Sequence, residues 1–296
     1  IMSRTRYEWT LLDFACWAAG LVPVPIYETS SIDQVAHVLV DADVHLIITE
    51  TVSMAEIVRR AAERQNRDNT HVLSLDSEAI ETLIAEGSTT PRERVLARSE
   101  ALTTSDIATI VYTSGTTGTP KGTVLSHENF TNLCLNAHAW MPEIAAGKNS
   151  RLLLFLPLAH VFARFLQVFQ ISGNGVLGHA PNIKNLLPDL ASFRPSYLLV
   201  VPRVLEKIYN SADTKARGPK QKISLGSQVA IAYSQALDTE EGPTTSLKAQ
   251  HALADKLVYQ QIIRLVGGNA DYIVSGGAPL APWLAHFYRG VGIPVL

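Results

Sequence analysis

An apolar run, Ile107 to Val111, leads without a break into Tyr112-Thr113-Ser114-Gly115-Thr116-Thr117-Gly118-Thr119-Pro120-Lys121-Gly122. The run reads as a buried strand, so the polar stretch after it has to turn where that strand ends. Glycine permits positive φ and lets a ligand come close to the main chain. Successive backbone N–H groups in such a turn form an anion-binding concavity. The hydroxyls of Thr113, Ser114, Thr116 and Thr117 add donors, and Lys121 adds a full positive charge. A loop of this make-up fits a polyphosphate. A plain surface turn uses the same residue types for local reasons, but here they fall together directly after a buried strand. A Walker loop needs G-x-x-x-x-G-K-[ST]. Counted from Gly115, Pro120 stands where the second glycine belongs and Gly122 where Ser or Thr belongs. Kinase and GTPase readings lose their main support.

Around this loop the chain alternates strands with helices, the pattern of a largely parallel sheet covered by helices. Thr5 to Ala19 reads as a helix ending at Gly20, with Trp9, Leu12 and Cys16 on one face. Leu21 to Tyr27 reads as a proline-bearing strand near an edge. Ser31-x-x-Gln34 predicts a capping box, followed by an inward stripe of Ile32, Val35, Ala36, Leu39 and Val40. Val44 to Thr49 and His71 to Leu75 read as strands, and Ser53-x-x-Glu56 predicts a helix start between them. Ser77 to Ala85 reads as a short helix stopped by Gly87, and residues 89–104 as a polar connection. After the loop, helices are expected at 127–140, 159–170 and 247–265. Strands are expected at 151–156, 175–178, 197–201 and 272–274. Asn182 can cap a helix, Pro202 suits the first turn of another, and residues 215–222 read as a basic exposed turn.

Formal charge is close to balanced, with 25 basic and 27 acidic residues, which gives nucleic-acid binding no support. No basic run points to a membrane surface. The longest apolar stretch, Leu152 to Phe162, is interrupted by Pro157 and His160 and falls short of the roughly 18 residues a spanning helix needs. No integral membrane segment is therefore expected. Cys16 and Cys134 lie in apolar surroundings without CxxC spacing, so both read as buried free thiols in a reducing compartment. The chain opens on Ile1-Met2-Ser3, which reads as the end of a strand, and stops at Ile293-Pro294-Val295-Leu296, which reads as the start of one. The expectation is a domain cut at both ends, because unpaired backbone groups would otherwise be left in the sheet.

Two further stretches carry chemistry. Leu156-Pro157-Leu158-Ala159-His160-Val161-Phe162-Ala163-Arg164 sits where a strand ends and a helix starts, the place where open α/β sheets hold ligands. His160 and Arg164, four apart, share a helical face. An isolated histidine at such a place is more often satisfied in a core turn. Ser275-Gly276-Gly277-Ala278-Pro279 follows a strand, and its glycines permit close approach of a flat ligand.

The loop from Tyr112 to Gly122 resembles the phosphate-binding signature of the acyl-adenylate-forming (AMP-binding) superfamily at every signature position. The resemblance covers essentially all of residues 1–296, read as one partial adenylation domain with no separate second domain. It implies an α/β fold: the large N-terminal domain of an adenylate-forming enzyme, mostly parallel sheets flanked by helices, without the small C-terminal domain. By resemblance Thr113, Ser114, Gly115, Thr116, Thr117, Gly118 and Lys121 would bind the phosphates of ATP. Gly276, Gly277, Ala278 and Pro279 match the adenine-contacting turn. His160 and Val161 would border an acyl group, Phe162 would line its pocket, and Arg164 would stand near a tunnel mouth. Lys121, Thr116 and His160 would be the catalytic residues, and Thr113 would help to hold Mg²⁺. The segment Val201 to Tyr209 is similar to one typical of the long-chain fatty acyl-CoA synthetase branch. The aspartate with which the peptide-synthetase branch recognises an amino group is absent, which argues against an amino-acid substrate. The expected metal-binding glutamate, ribose-binding aspartate, hinge and catalytic lysine of the small domain fall outside these residues, so this chain by itself is expected not to complete turnover.

The implied activity is ATP-dependent conversion of a long-chain fatty acid to acyl-AMP, then transfer to coenzyme A as co-substrate. Partners would be fatty acid, ATP and CoA, in the cytoplasm or peripheral to a membrane, and a homodimer is compatible with the resemblance. One alternative is a fatty acyl-AMP ligase, which stops at the adenylate. In that group the loop usually has serine where Thr116 sits, so this sequence leans the other way. Another is a non-catalytic nucleotide- or lipid-binding fragment, which the intact signature disfavours.

Overall fold

The computed structural model describes residues 1–67, 69–113, 119–145, 150–215 and 221–296. Ser114, Gly115, Thr116, Thr117 and Gly118 of the loop, and part of the basic stretch 215–222, lie outside the described residues.

In chain order the first elements are α1 (Tyr7–Ala18), α2 (Ile32–Asp41), β1 (Leu46–Thr49), α3 (Val52–Arg64), β2 (His71–Ser74), α4 (Ala79–Gly87) and α5 (Arg92–Glu100). The loop region follows with β3 (Ile107–Thr113), β4 (Lys121–Ser126) and α6 (His127–Trp140). Then come α7 (Pro142–Ala145), β5 (Arg151–Leu154), α8 (Val161–Ser172), β6 (Val176–His179), α9 (Leu186–Phe193) and β7 (Tyr197–Val200). The last are α10 (Pro202–Lys215), α11 (Gln221–Ala236), α12 (Thr245–Ala254), α13 (Gln260–Leu265), β8 (Tyr272–Ser275) and α14 (Pro282–Val291).

The chain forms two compact units. One comprises Ile1–Trp140 and Leu154–Ser172, the other Met141–Leu153 and Gly173–Leu296. In the first, β1 and β2 pair in parallel, with Leu46 opposite His71 and Thr49 opposite Ser74. Helices α2 and α3 bury Val35, Ala36, Leu39, Val58, Ala61 and Ala62 with Met2, Ile26 and Ile47. β3 and β4 pair antiparallel, Tyr112 opposite Gly122 and Thr113 opposite Lys121. A short connection leaves no other choice, because parallel partners need a long crossover. In the second unit β7 and β8 run parallel, Tyr197 opposite Tyr272 and Val200 opposite Ser275. β5 pairs with β6. Tyr259 donates to the Gly226 carbonyl at 2.9 Å and Tyr288 to that of Leu205 at 2.8 Å, so both buried phenols are satisfied.

The capping box at Ser31 and Gln34 forms with both of its hydrogen bonds. Several expectations change. Leu21 to Tyr27 is not a strand: its β pairing is limited to one bridge, Met2 to Ile26, since Pro23 and Pro25 have no N–H to give a ladder. Val38, not Val40, completes the inward stripe of α2, and Val40 is 49% exposed. α3 starts two residues early, capped by the Thr51 hydroxyl accepting from Met54 N–H, with Ser53 inside the helix. Residues 89–104 contain α5, a helix without a buried residue, so no apolar period announces it. The stretch 247–265 is interrupted by a π-helical turn, Asp255–Tyr259, between α12 and α13.

Candidate active site

In the first unit, β3 and β4 form the neck of the glycine-rich loop. Lys121 is the first residue of β4, not a loop residue as its motif reads, and stands across the ladder from Thr113. Both are exposed. Gly122 packs too tightly for a side chain without movement: a Cβ there would meet Ile110 Cγ2 at 2.8 Å and the Tyr112 ring at 3.1 Å, so those side chains would have to shift. The Tyr112 ring therefore lies across the Gly122 backbone. Its hydroxyl donates to Asp41 Oδ2 at 2.6 Å. Burial, and then that hydrogen bond, push the phenol well above its ordinary pKa.

A cleft of about 340 Å³ opens beside the neck. Val111, Tyr112, Thr113 and Pro120 line it from the neck, Ser30, Gln34 and Val38 from α2 and the turn before it, and His160 and Val161 from the turn into α8. The sequence-predicted residues Thr113, His160 and Val161 thus meet around one cavity. His160 is held by a turn in which its N–H donates to the Pro157 carbonyl at 2.9 Å, and its Nδ1 accepts from Phe162 N–H at 3.2 Å. Its ring proton then belongs on Nε2, which is left as a donor. Phe162 is half-buried and not part of the cleft lining.

Arg164 lies elsewhere than its motif implies. It is fully buried, paired with Asp13, and bonded to the Thr109 hydroxyl. Gln167 donates to Asp13 Oδ2 at 2.9 Å, and Thr109 in turn donates to the Pro23 carbonyl at 2.7 Å. The guanidinium also sits 5.5 Å from the ring centres of Trp9 and Trp17. A charge so enclosed joins α1, β3 and α8; it does not stand at a tunnel mouth. His160 precedes α8 and is exposed, whereas Arg164, one turn further on, is inside the core.

In the second unit the stretch after β8 turns sharply. Gly276 N–H donates to the Val200 carbonyl at 3.1 Å, and Gly277 has φ +81°, which a side chain would strain. Gly277, Ala278 and Pro279 are exposed. The Ser275 hydroxyl is buried and lacks a hydrogen-bond partner, the kind of atom a ligand satisfies. Sequence reasoning gave Ser30, Gln34 and Tyr112 no place in a cavity wall. The capping box identified Gln34, but as a helix start, not as a cavity wall.

The AMP-binding enzyme family matches residues 1–296, so both compact units fall inside one family match. The chain belongs to this family. It is 42% identical over 299 residues to the long-chain-fatty-acid–CoA ligase FadD15 of Mycobacterium bovis, covering all of this chain and 50% of that protein. It is 26% identical to long-chain-fatty-acid–CoA ligase 5 of Rattus norvegicus, over 98% of this chain and 43% of the relative. The chain thus spans about half the length of the curated relatives it matches. Among solved structures, the inhibitor-bound N-terminal domain of FACL13 from Mycobacterium tuberculosis superposes with a TM-score of 0.64 at 20% identity, over 100% of this chain and 60% of that one. A fatty acyl CoA synthetase of the same organism gives 0.66 at 20% identity, over 100% and 47%. The fold of the family chain is therefore the mixed α/β arrangement of adenylate-forming N-terminal domains. No helix among the described residues is long and apolar enough to cross a membrane.

Proposed function

We propose that this chain carries the adenylation half of a long-chain fatty acid–CoA ligase. The observation that carries the reading is the shared cleft: Thr113, cross-strand neighbour of Lys121, lines the same cavity as His160 and Val161. The relatives named above as long-chain ligases support the substrate class.

A carboxylate is a poor acyl donor, since its charge repels a thiolate and oxide is a bad leaving group. In the reaction the acid attacks the α-phosphorus of ATP and pyrophosphate leaves; the thiol of CoA then displaces AMP. Charge gathers on the departing phosphates, so fixed donors and a cation there lower the barrier. Lys121 supplies the cation, and the hydroxyls and backbone of residues 113–118 supply donors; Thr116 keeps the catalytic assignment made on its sequence. His160 Nε2 donates to the acid and orients it, and Val161 and Phe162 present apolar surface to its chain. Gly276, Gly277, Ala278 and Pro279 keep the adenine assignment made on their sequence.

Mg²⁺ fits the donor set in one way. Among the described residues no group of three or more His, Cys, Asp or Glu side chains could hold a metal. The ion would take the exposed Thr113 hydroxyl and draw its other ligands from phosphate oxygens and water, as this hard cation commonly does. When bound it neutralises phosphate charge. Two free thiols agree with a cytoplasmic setting.

The test is ATP–pyrophosphate exchange by the intact protein with acids of increasing length. Exchange should depend on a long-chain acid, and its absence would end the reading. Lys121→Ala should lower the exchange rate about 10- to 150-fold, the worth of one charge-assisted hydrogen bond in the transition state. Its melting temperature should stay within about 2 °C, as expected for an exposed residue. An unchanged rate would show the lysine is misassigned.

A further inference from the structure

We propose that His37 and Asp41 of α2 are positioning residues that grip both strands of the loop neck and thereby set Thr113 and Lys121. The two residues are four apart and share a face of the helix. His37 Nε2 lies 2.8 Å from the Pro120 carbonyl oxygen. That oxygen can only accept, so the imidazole donates. Asp41 Oδ2 accepts from the Tyr112 hydroxyl at 2.6 Å. The His37 ring also meets the Tyr112 ring edge to face, 5.8 Å between centres at 86°. Pro120 immediately precedes Lys121, and Tyr112 immediately precedes Thr113. One helix face thus holds each strand one residue short of its functional side chain.

The helix itself has little room to drift, because Val35 and Leu39 on its other side are buried in the core. The same helix presents Gln34 and Val38 to the cleft. The grip and the cavity wall are therefore parts of one rigid element. Nothing in the motif predicts this: the phosphate signature explains the loop residues, and neither His37 nor Asp41 belongs to it. A ladder alone would fix the backbone spacing of Thr113 and Lys121 but leave the hairpin free to twist as a two-stranded ribbon, which is marginal without packing. Arg164 and Trp17 hold the far end of β3 through Thr109 and the Ala108 carbonyl, and the two side-chain bonds from α2 fix the end next to the loop.

The experiment has two arms, and only the second rests on the adenylation reading. In the first, hydrogen exchange is followed in the ligand-free intact protein for peptides spanning residues 107–126. His37→Ala should speed exchange there at least about threefold and leave other peptides of residues 1–140 unchanged, while His37→Gln, which keeps a donor, restores most of the protection. Unchanged exchange at 107–126, or an equal rise throughout residues 1–140, overturns the proposal. In the second arm, His37→Ala should raise KM for ATP about three- to tenfold with KM for the fatty acid unchanged. Equal rises in both, or no rise for ATP in an active enzyme, overturn it. If His37→Ala does not fold, Tyr112→Phe, which removes the donor to Asp41, must give the same local change in exchange, and its failure to do so overturns the proposal. If the wild type shows no pyrophosphate exchange, the adenylation reading falls, and the hydrogen-exchange arm still decides the grip.

Discussion

Glu50 shows how a single buried charge is kept. It follows β1, its side chain is 3% exposed, and it accepts from Arg4 N–H at 2.8 Å and Arg4 Nε at 3.0 Å, with Arg6 at 3.7 Å. Burial alone would push this carboxyl up; the bonds and charge of Arg4, aided by Arg6, outweigh burial and hold it below the usual carboxylate range. A folded-state pKa below the unfolded one means the stabilisation is complete above the unfolded value and is lost as pH falls through the folded one. Glu50→Gln should therefore cost about 1–3 kcal/mol at neutral pH, and the gap to wild type should close below about pH 4. Chemical denaturation across that range checks it, and a pH-independent gap would contradict the assignment. Arg164 is the opposite lesson. Its spacing from His160 could be read from sequence, but its partner Asp13 is 151 residues away, and no local pattern announces such a pair.

At the scale of elements, local chemistry was legible where it satisfies backbone groups. The Ser31–Gln34 box and Pro202 at the start of α10 were read from residue identity alone. Elements without a one-sided apolar pattern were not. α5 buries nothing, and β4 hides in a motif whose glycine and lysine look like loop. α14 was missed although Pro282 opens it. It packs so closely on α11 that a Cβ on Gly290 would overlap the Ala230 carbonyl oxygen and lie 2.9 Å from the Ala230 Cα. Helix propensity favours alanine over glycine by about 1 kcal/mol. Overpacking against backbone, which cannot swing aside like a side-chain tip, typically costs about 1–3 kcal/mol or more. Gly290→Ala should accordingly destabilise the protein, by up to about 2 kcal/mol net; a raised melting temperature would show that the helices can separate freely.

For the whole molecule, the α/β class and the family were legible because the loop signature and strand–helix alternation extend along the chain. The division into two compact units was not, since Met141–Leu153 joins residues after Ser172 and leaves Leu154–Ser172 with the first unit. A contact pattern that crosses back over the sequence leaves no linker to see. The division predicts where local destabilisation registers. In native-state hydrogen exchange, Glu50→Gln should weaken protection mainly within Ile1–Trp140 and Leu154–Ser172, and Gly290→Ala mainly within Met141–Leu153 and Gly173–Leu296. Equal loss in both units from either substitution would mean that the chain opens as one.

The π turn at Asp255–Tyr259 fits one more residue into its turn than an α-helix would, and each residue amounts to about 100° of rotation. Leu253 and Leu257 before and within it face solvent, each 60% exposed, while Tyr259, Ile262 and Val266 go inside. A single helical wheel over residues 253–266 already puts the two leucines on one side and these three buried side chains on the other, so the rod takes up the extra residue without turning its buried face away from the core.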